Sequence, residues 1–332
     1  MGKEGHQIFA DELTHFAARC RNPRLTPIIR HVAGPLYVAV RGRDGVGRGT
    51  VAAALAGAGV TVTADVDAAD VDVMVIAEVL KPEERAVLAG TAKPTLTVLN
   101  KADLTGYGAG GPMALAQRRA AQYRALTGVP TVPTVGLLAI AVLDDELVYA
   151  LRLLTTEPAD MSSADAFLQT EHRLSGDVRS RLLDTLDRFG IAHAVLALRR
   201  GADAASLPAL LRRVSQVDRV VAQLTATGAA VRYRRVRSAL TELRALAVQS
   251  GDDRLTEFLS ADDTVIAVMA AAVEVIEATG VDVDPGDDPA AHLRRALHWR
   301  RYAGAPLDPL RRNCAADISR GSLRLLRRAQ PG

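Results

Sequence analysis

At 332 residues the chain is long enough to hold two domains with cores of their own. It is 48% hydrophobic and 24% charged, as a globular protein is, but only 4% aromatic. The net charge of +3 rests on 37 Arg and 4 Lys with no aromatics interleaved, which argues against nucleic acid as a partner. The best apolar run, Thr264–Val273, stops at Glu274, short of a bilayer span. The opening MGKEGHQIFADEL lacks the apolar stretch of a secretion signal, and Met1-Gly2 is followed by His6 where an acylation signal requires Ser or Thr. Cys20 and Cys314 are single and far apart, with no metal or redox spacing, so a reduced, cytoplasmic protein is expected.

In chain order, Ile8, Leu13, Phe16, Ala17 and Cys20 share one side of a helix over 6–20, and a second short helix runs from Pro23 to Val32. Leu36–Val40 is an apolar strand. It leads into Gly42-Arg43-Asp44-Gly45-Val46-Gly47-Arg48-Gly49-Thr50 and an alanine-rich helix. Glycines let such a loop turn tightly and aim backbone N–H groups inward, an anion nest at a helix N-terminus. Against the pattern G-x-x-x-x-G-K-[ST], Gly42 and Gly47 match, Arg48 stands in for Lys and Gly49 for the hydroxyl residue, and Thr50 comes one place late. Val60–Thr63 is a short strand and Val71–Val79 a longer buried one. A helix over Lys81–Ala89 follows, opened by Pro82-Glu83-Glu84.

Thr95–Leu99 is β-branched and apolar, a strand buried on both faces, and runs straight into Asn100-Lys101-Ala102-Asp103. A glycine loop (Gly106–Gly111), a helix over Met113–Thr127 and a strand over Thr131–Val135 complete this half. The alternation of strands and helices predicts a parallel sheet.

An N-K-x-D behind a strand, together with the Gly-rich loop, resembles the P-loop GTPase superfamily, and the helical lead-in makes the chain similar in architecture to bacterial dynamin-like GTPases. The resemblance implies that the Asp103 carboxylate accepts hydrogen bonds from the ring N–H and exocyclic amine of guanine. By the same resemblance, Asn100 steadies the neighbouring loop and the Lys101 stem lies along the base. Thr134-Val135-Gly136 stands where the family has a Ser-Ala pair, so a backbone N–H at Gly136 would meet the guanine oxygen. Gly42, Asp44, Gly45, Gly47, Arg48, Gly49 and Thr50 would hold the phosphates of GTP or GDP. The family's D-x-x-G is missing between Thr50 and Val71: Asp65, Asp67, Asp70 and Asp72 all lack the glycine. Gly49 also removes the hydroxyl that would bind Mg²⁺, leaving the place of Mg²⁺ open and hydrolysis weak or absent. No catalytic residue and no metal-ligand spacing is identified.

From Thr155 strand signals vanish. Thr155-Thr156-Glu157-Pro158 and Met161-Ser162-Ser163 suggest a linker. Helices are expected at Ser175–Phe189, Ala192–Arg200, Ser206–Val214, Gln216–Ala226, Ala229–Gln249, Asp263–Thr279, Pro289–Tyr302 and Leu307–Arg328. Gly190, Gly201, Gly228, Gly251 and Gly280 are expected to stop or turn them. Residues 251–288 carry eleven acids against Arg254, and residues 289–332 ten Arg against Asp308 and Asp317. The two patches either face each other within a bundle or leave the Arg-rich tail to dock an acidic partner or lipid headgroups at a membrane periphery. His292, His298, Trp299 and Tyr302 share one expected helix and suit a structural role.

The expected fold is α/β: a reduced parallel-sheet P-loop G domain over 36–155, followed by an all-α helical-bundle domain over 156–332, with the lead-in 1–35 packing on the latter. The expected function is a guanine-nucleotide-binding, GTPase-like regulatory or partner subunit of an intact GTPase or of a second copy. The alternatives are a slow GTP hydrolase completed by a partner, and a scaffold with a vestigial pocket.

Overall fold

The computed structural model describes residues 4–106 and 108–329, so the Met1-Gly2 reading lies outside the described residues. Helices α1 (Gly5–Cys20) and α2 (Leu25–Ala33) precede strand β1 (Tyr37–Arg41), helix α3 (Arg48–Gly57) and strand β2 (Thr61–Thr63). Next come β3 (Val71–Ala77), α4 (Pro82–Gly90), β4 (Thr95–Asn100), α5 (Gly111–Thr127) and β5 (Thr131–Pro133). The rest of the described chain is helical: α6 (Gly136–Ala139), α7 (Asp145–Thr156), α8 (Ala164–Gln169), α9 (Gly176–Arg199), α10 (Leu207–Ser215) and α11 (Val217–Ser250). It closes with α12 (Asp253–Ser260), α13 (Asp262–Ala278), α14 (Pro289–Ala303) and α15 (Pro309–Ala329).

The five strands form one parallel sheet in the order β2-β1-β3-β4-β5. Every residue of β3 and β4 is buried, which is why both are rich in apolar and β-branched residues, with Asp72, Thr95, Thr97 and Asn100 as their buried polar members. Val73, Val75, Leu96 and Val98 on one face pack with Val51 and Leu55 of α3, whereas Met74, Ile76 and Leu99 on the other pack with Leu151 of α7 and Leu186 of α9.

The chain divides into two compact units, Tyr37–Leu224 and Met1–Leu36 with Thr225–Gly332. This differs from the expected division after residue 155, because α8 to α10 share the core of the sheet unit. The stretch expected to be a linker is held there: Arg188 donates to the Met161 and Ser162 carbonyls, His172 pairs with the Glu157 carbonyl, and Ala159 and Met161 pack against the core. Two expected helix stops lie elsewhere than at their glycines: α9 breaks at Asp187, just before Gly190, and α11 runs on through Gly228. Gly190 lies inside α9 and Gly228 inside α11, where a Cβ would come within 2.5 Å of Leu138 Cδ2 and 2.3 Å of Leu36 Cδ1 respectively. Glycine serves close packing there, not termination. Gly201, Gly251 and Gly280 do adopt positive φ beyond helix ends.

In the other unit, α1 buries Phe9, Leu13 and Phe16 in one core with Tyr233, Leu243, Val268 and Trp299. The first turn of α1 lies so close to α13 that a Cβ at Gly5 would meet Ala271 N at 2.1 Å. The acidic and basic stretches do face each other: Asp262 pairs with Arg324, Arg327 and Arg328, and Asp263 with Arg328. The hydrogen bond from Arg327 holds the Asp262 carboxyl below its ordinary range, with the three arginine charges adding to the effect. Trp299 is buried, with His298 and Tyr302 against its ring edge-on. Among the described residues no helix is long and apolar enough to cross a membrane.

A Gly5→Ala substitution pushes its methyl into fixed backbone and is expected to lower unfolding free energy by about 3 kcal/mol in urea melts. By contrast, Gly57→Ala, in open space near the end of α3, is expected to gain up to about 1 kcal/mol. Equal effects of the two would contradict the close α1–α13 approach.

Candidate functional site

In an open parallel sheet, ligands sit outside the carboxyl ends of the strands where the chain order reverses direction. Here that point lies between β1 and β3, since β1 is followed by β2 on one side and β3 on the other. The loop Gly42–Gly47 leaves β1 at that point. Gly42, Gly45 and Gly47 adopt φ of 154°, 81° and 82°, conformations that L side chains rarely adopt. Space is equally limiting at two of them: a Cβ on Gly42 would meet Val75 O at 2.6 Å, and one on Gly47 would meet Asn100 Nδ2 at 2.4 Å.

Gly47 is the N-cap of α3, and no side chain caps that helix; its first backbone bond runs from Val51 N–H to Gly47 O. The N–H groups of Arg48, Gly49 and Thr50 therefore stand at the positive end of α3 without a side-chain acceptor. Arg48 is exposed and donates from Nη1 to Gly42 O at 3.3 Å, so its guanidinium lies back over the same loop. Asp44 is exposed at the loop tip, and Thr50 is half-buried in the first turn.

Asn100 ends β4 with its side chain buried. Its Nδ2 donates to Val46 O in the glycine loop at 2.9 Å, and its Oδ1 accepts from Gly136 N at 2.9 Å. One amide thus ties together the loops that follow β1 and β5. Beyond it Lys101 is exposed with φ 54°, and Asp103 sits half-buried in a 3₁₀ turn, Ala102–Leu104. Burial pushes the Asp103 carboxyl up to about 6; the nearby Asp187 carboxylate adds to this, while its own backbone N–H and the Lys101 ammonium oppose it.

The reading of Gly136 changes. Its N–H is already given to Asn100, while the N–H groups of Thr134 and Val135 go to Leu99 O and Ser215 O. No N–H of that tripeptide is left for a ligand, so Gly136 acts on the site through Asn100. A Cβ there would meet Asn100 Oδ1 at 3.0 Å.

Three of the aspartates before or within β3 have partners of their own. Asp70 accepts from Tyr37 N, Asp72 pairs with Arg41, and Asp65 accepts from the N–H groups of Asp67 and Ala68. Two features escaped the sequence reading. One is a cavity of about 600 Å³ beside the glycine loop, lined by Arg41, Gly42, Arg43, Arg48, Glu83 and Glu84 among others. Arg43 crosses it to Glu84 Oε1 at 3.1 Å, and Glu84 in turn accepts from Lys81 N. The other is Asp187, at a break in α9 with φ 52° and ψ 174°. A non-glycine residue there stores backbone strain of about 1–3 kcal/mol, and such strain gathers at functional sites. The break falls close to the helix end expected at Phe189, but its proximity to Asp103 leaves no local signal in sequence.

Comparison with family models, curated proteins and solved structures finds no match for the chain.

Replacing Asn100 with Ala leaves Val46 O and Gly136 N without their partner and is expected to cost about 2–4 kcal/mol in denaturant unfolding. Asn100→Asp keeps the acceptor for Gly136 N but at neutral pH turns a buried carboxylate onto Val46 O, so it is expected to destabilise at least as much as Asn100→Ala.

Proposed function

We propose that the Tyr37–Leu224 unit is a degenerate P-loop GTPase-like domain that binds GTP or GDP with weak or no hydrolysis. The observation that carries this reading is the Asn100 amide, which joins the glycine loop to the N-K-A-D stretch at the switch point of the sheet. In the proposed complex the phosphates lie at the N-terminus of α3, held by the backbone of Gly45 to Thr50 and by Arg48 turning away from Gly42 O. The base lies between the Lys101 stem and the Asp103 carboxylate, whose two oxygens accept from the ring N–H and the exocyclic amine, donors that adenine does not present in that arrangement.

Three features favour binding over turnover. Gly49 supplies no hydroxyl to a metal, and Asp65, Asp70 and Asp72 have partners of their own. Arg48 carries a fixed positive charge that neutralises phosphate without orienting a water. The protein then works through conformation, as a regulatory subunit of an intact GTPase or of a second copy. The packing of α1 and α2 with the C-terminal helices is the architectural support for the dynamin-like form of the reading. Both cysteines are free, which suits a cytoplasmic setting.

Titration of fluorescent GDP, GTP and ATP analogues, with and without Mg²⁺, tests this. Guanine-selective binding indifferent to Mg²⁺ is expected, whereas Mg²⁺-dependent turnover would favour the hydrolase reading and no binding a vestigial pocket. Asp103→Asn is expected to weaken guanine binding and improve xanthine binding; unchanged affinities for both would remove Asp103 from the site. The pH dependence has a definite sign. The carboxylate accepts both N–H groups only when ionised, so guanine affinity should hold above about pH 6 and fall roughly tenfold per unit below it. A flat profile between pH 7 and 5 would contradict the role of Asp103.

A further inference from the structure

We infer that Glu4, His6 and Glu274 form a binding site for a divalent transition-metal ion of the Zn²⁺ type in the helical unit, independent of the nucleotide site. One ligand atom from each of the three residues lies within 4.8 Å of the other two. His6, in the first turn of α1, is only 6% exposed, and its Nδ1 has no hydrogen-bond partner. That nitrogen lies 3.3 Å from Glu4 Oε2, so it is aimed into the cluster although no proper hydrogen bond forms. A buried polar atom without a partner is costly, and a metal ion is the partner that would satisfy an imidazole nitrogen flanked by two carboxylates.

The backbone fixes these donors. Gly5, between the two α1 ligands, donates its N–H to Glu274 Oε1 at 2.6 Å and leaves no room for a Cβ against Ala271. The first turn of α1 is thereby held against α13, which brings Glu274 beside residues 4 and 6. Burial, assisted by the charges of Arg232 and Arg235, drives the His6 imidazole down to about 4, so at neutral pH the ring is in the neutral form that binds metals. Burial also pushes the Glu274 carboxyl upward, the cost of an ion in a poor solvent that a cation offsets; Glu4 and Glu277 add to the negative field.

Two cations share the neighbourhood. Arg232 Nε lies 3.2 Å from Glu4 Oε2 while its Nη2 donates to Thr225 O, so it orients Glu4 as an outer partner does in a metal site. Arg235 gives Nη1 to the carbonyls of Gly34 and Pro35. One imidazole and two carboxylates suit Zn²⁺ better than the all-oxygen preference of Ca²⁺ or Mg²⁺, and three protein ligands leave a fourth position for water.

The test is calorimetric titration of Zn²⁺ into the chelator-treated full chain, with Co²⁺ as a spectroscopic stand-in. One Zn²⁺ per chain is expected, and Co²⁺ should develop the strong visible absorption of low-coordinate cobalt that the octahedral aqueous ion lacks. Glu274→Gln and His6→Asn are each expected to weaken Zn²⁺ binding by at least about 100-fold. Glu4→Gln, at a partly exposed N-cap, keeps the fold by circular dichroism and is expected to weaken it by about 10-fold or more and alter the Co²⁺ spectrum. Absence of Zn²⁺ binding to wild type, or an affinity and Co²⁺ spectrum unmoved by Glu4→Gln, would overturn the site.

Discussion

The amide of Asn100 is the point on which the sheet unit's loops depend. Each strand of a parallel sheet ends in a loop that has no hydrogen-bonding neighbour of its own, and such loops drift unless something short and polar links them. Asn is suited to this because one end of its side chain donates and the other accepts. Buried at the end of β4, it spends the donor on Val46 and the acceptor on Gly136, fixing loops that lie 54 and 36 residues away in sequence. The low dielectric of the buried position strengthens both bonds and makes each expensive to lose. Gly47 is glycine for the same reason: a Cβ there would collide with the Asn100 amide.

Burial then sets the electrostatics around that link. Asp103, three residues on, is half-withdrawn from water and made hard to ionise, with Asp187 across from it at a strained break in α9. Beside the glycine loop, Arg48 is held only by a carbonyl of its own loop, whereas Arg43 forms a long-range ion pair with the buried Glu84. Elsewhere a single carboxylate is shared among several arginines, as where Asp262 meets three of them from α15.

The strands and their order of appearance were legible because a strand buried on both faces leaves an apolar, β-branched run that few other elements produce; β3 and β4 begin where the sequence placed them. The glycine loop was legible because its turn chemistry is local, and Asn100 because it ends a buried strand. What failed was decided by distant partners. Gly190 and Gly228 looked like stops, since nothing local distinguishes a glycine that ends a helix from one that admits a neighbouring leucine. The boundary after residue 155 was misplaced because the apolar faces of α8 to α10 do not announce which core they join. The Gly136 N–H looked available until its bond to Asn100 was seen. His6 and Glu274 carry no motif, and only the packing of α1 on α13 brings them together.

The most direct measurement is hydrogen–deuterium exchange of the full chain with and without saturating GDP. If the Asn100 link organises a nucleotide site, peptides covering Gly42–Thr50 and Asn100–Thr105 should gain protection together, with wild-type protein responding and Asn100→Ala responding in neither stretch. Exchange unchanged in both stretches of the wild type, or protection confined to one of them, would contradict a single site built on that amide.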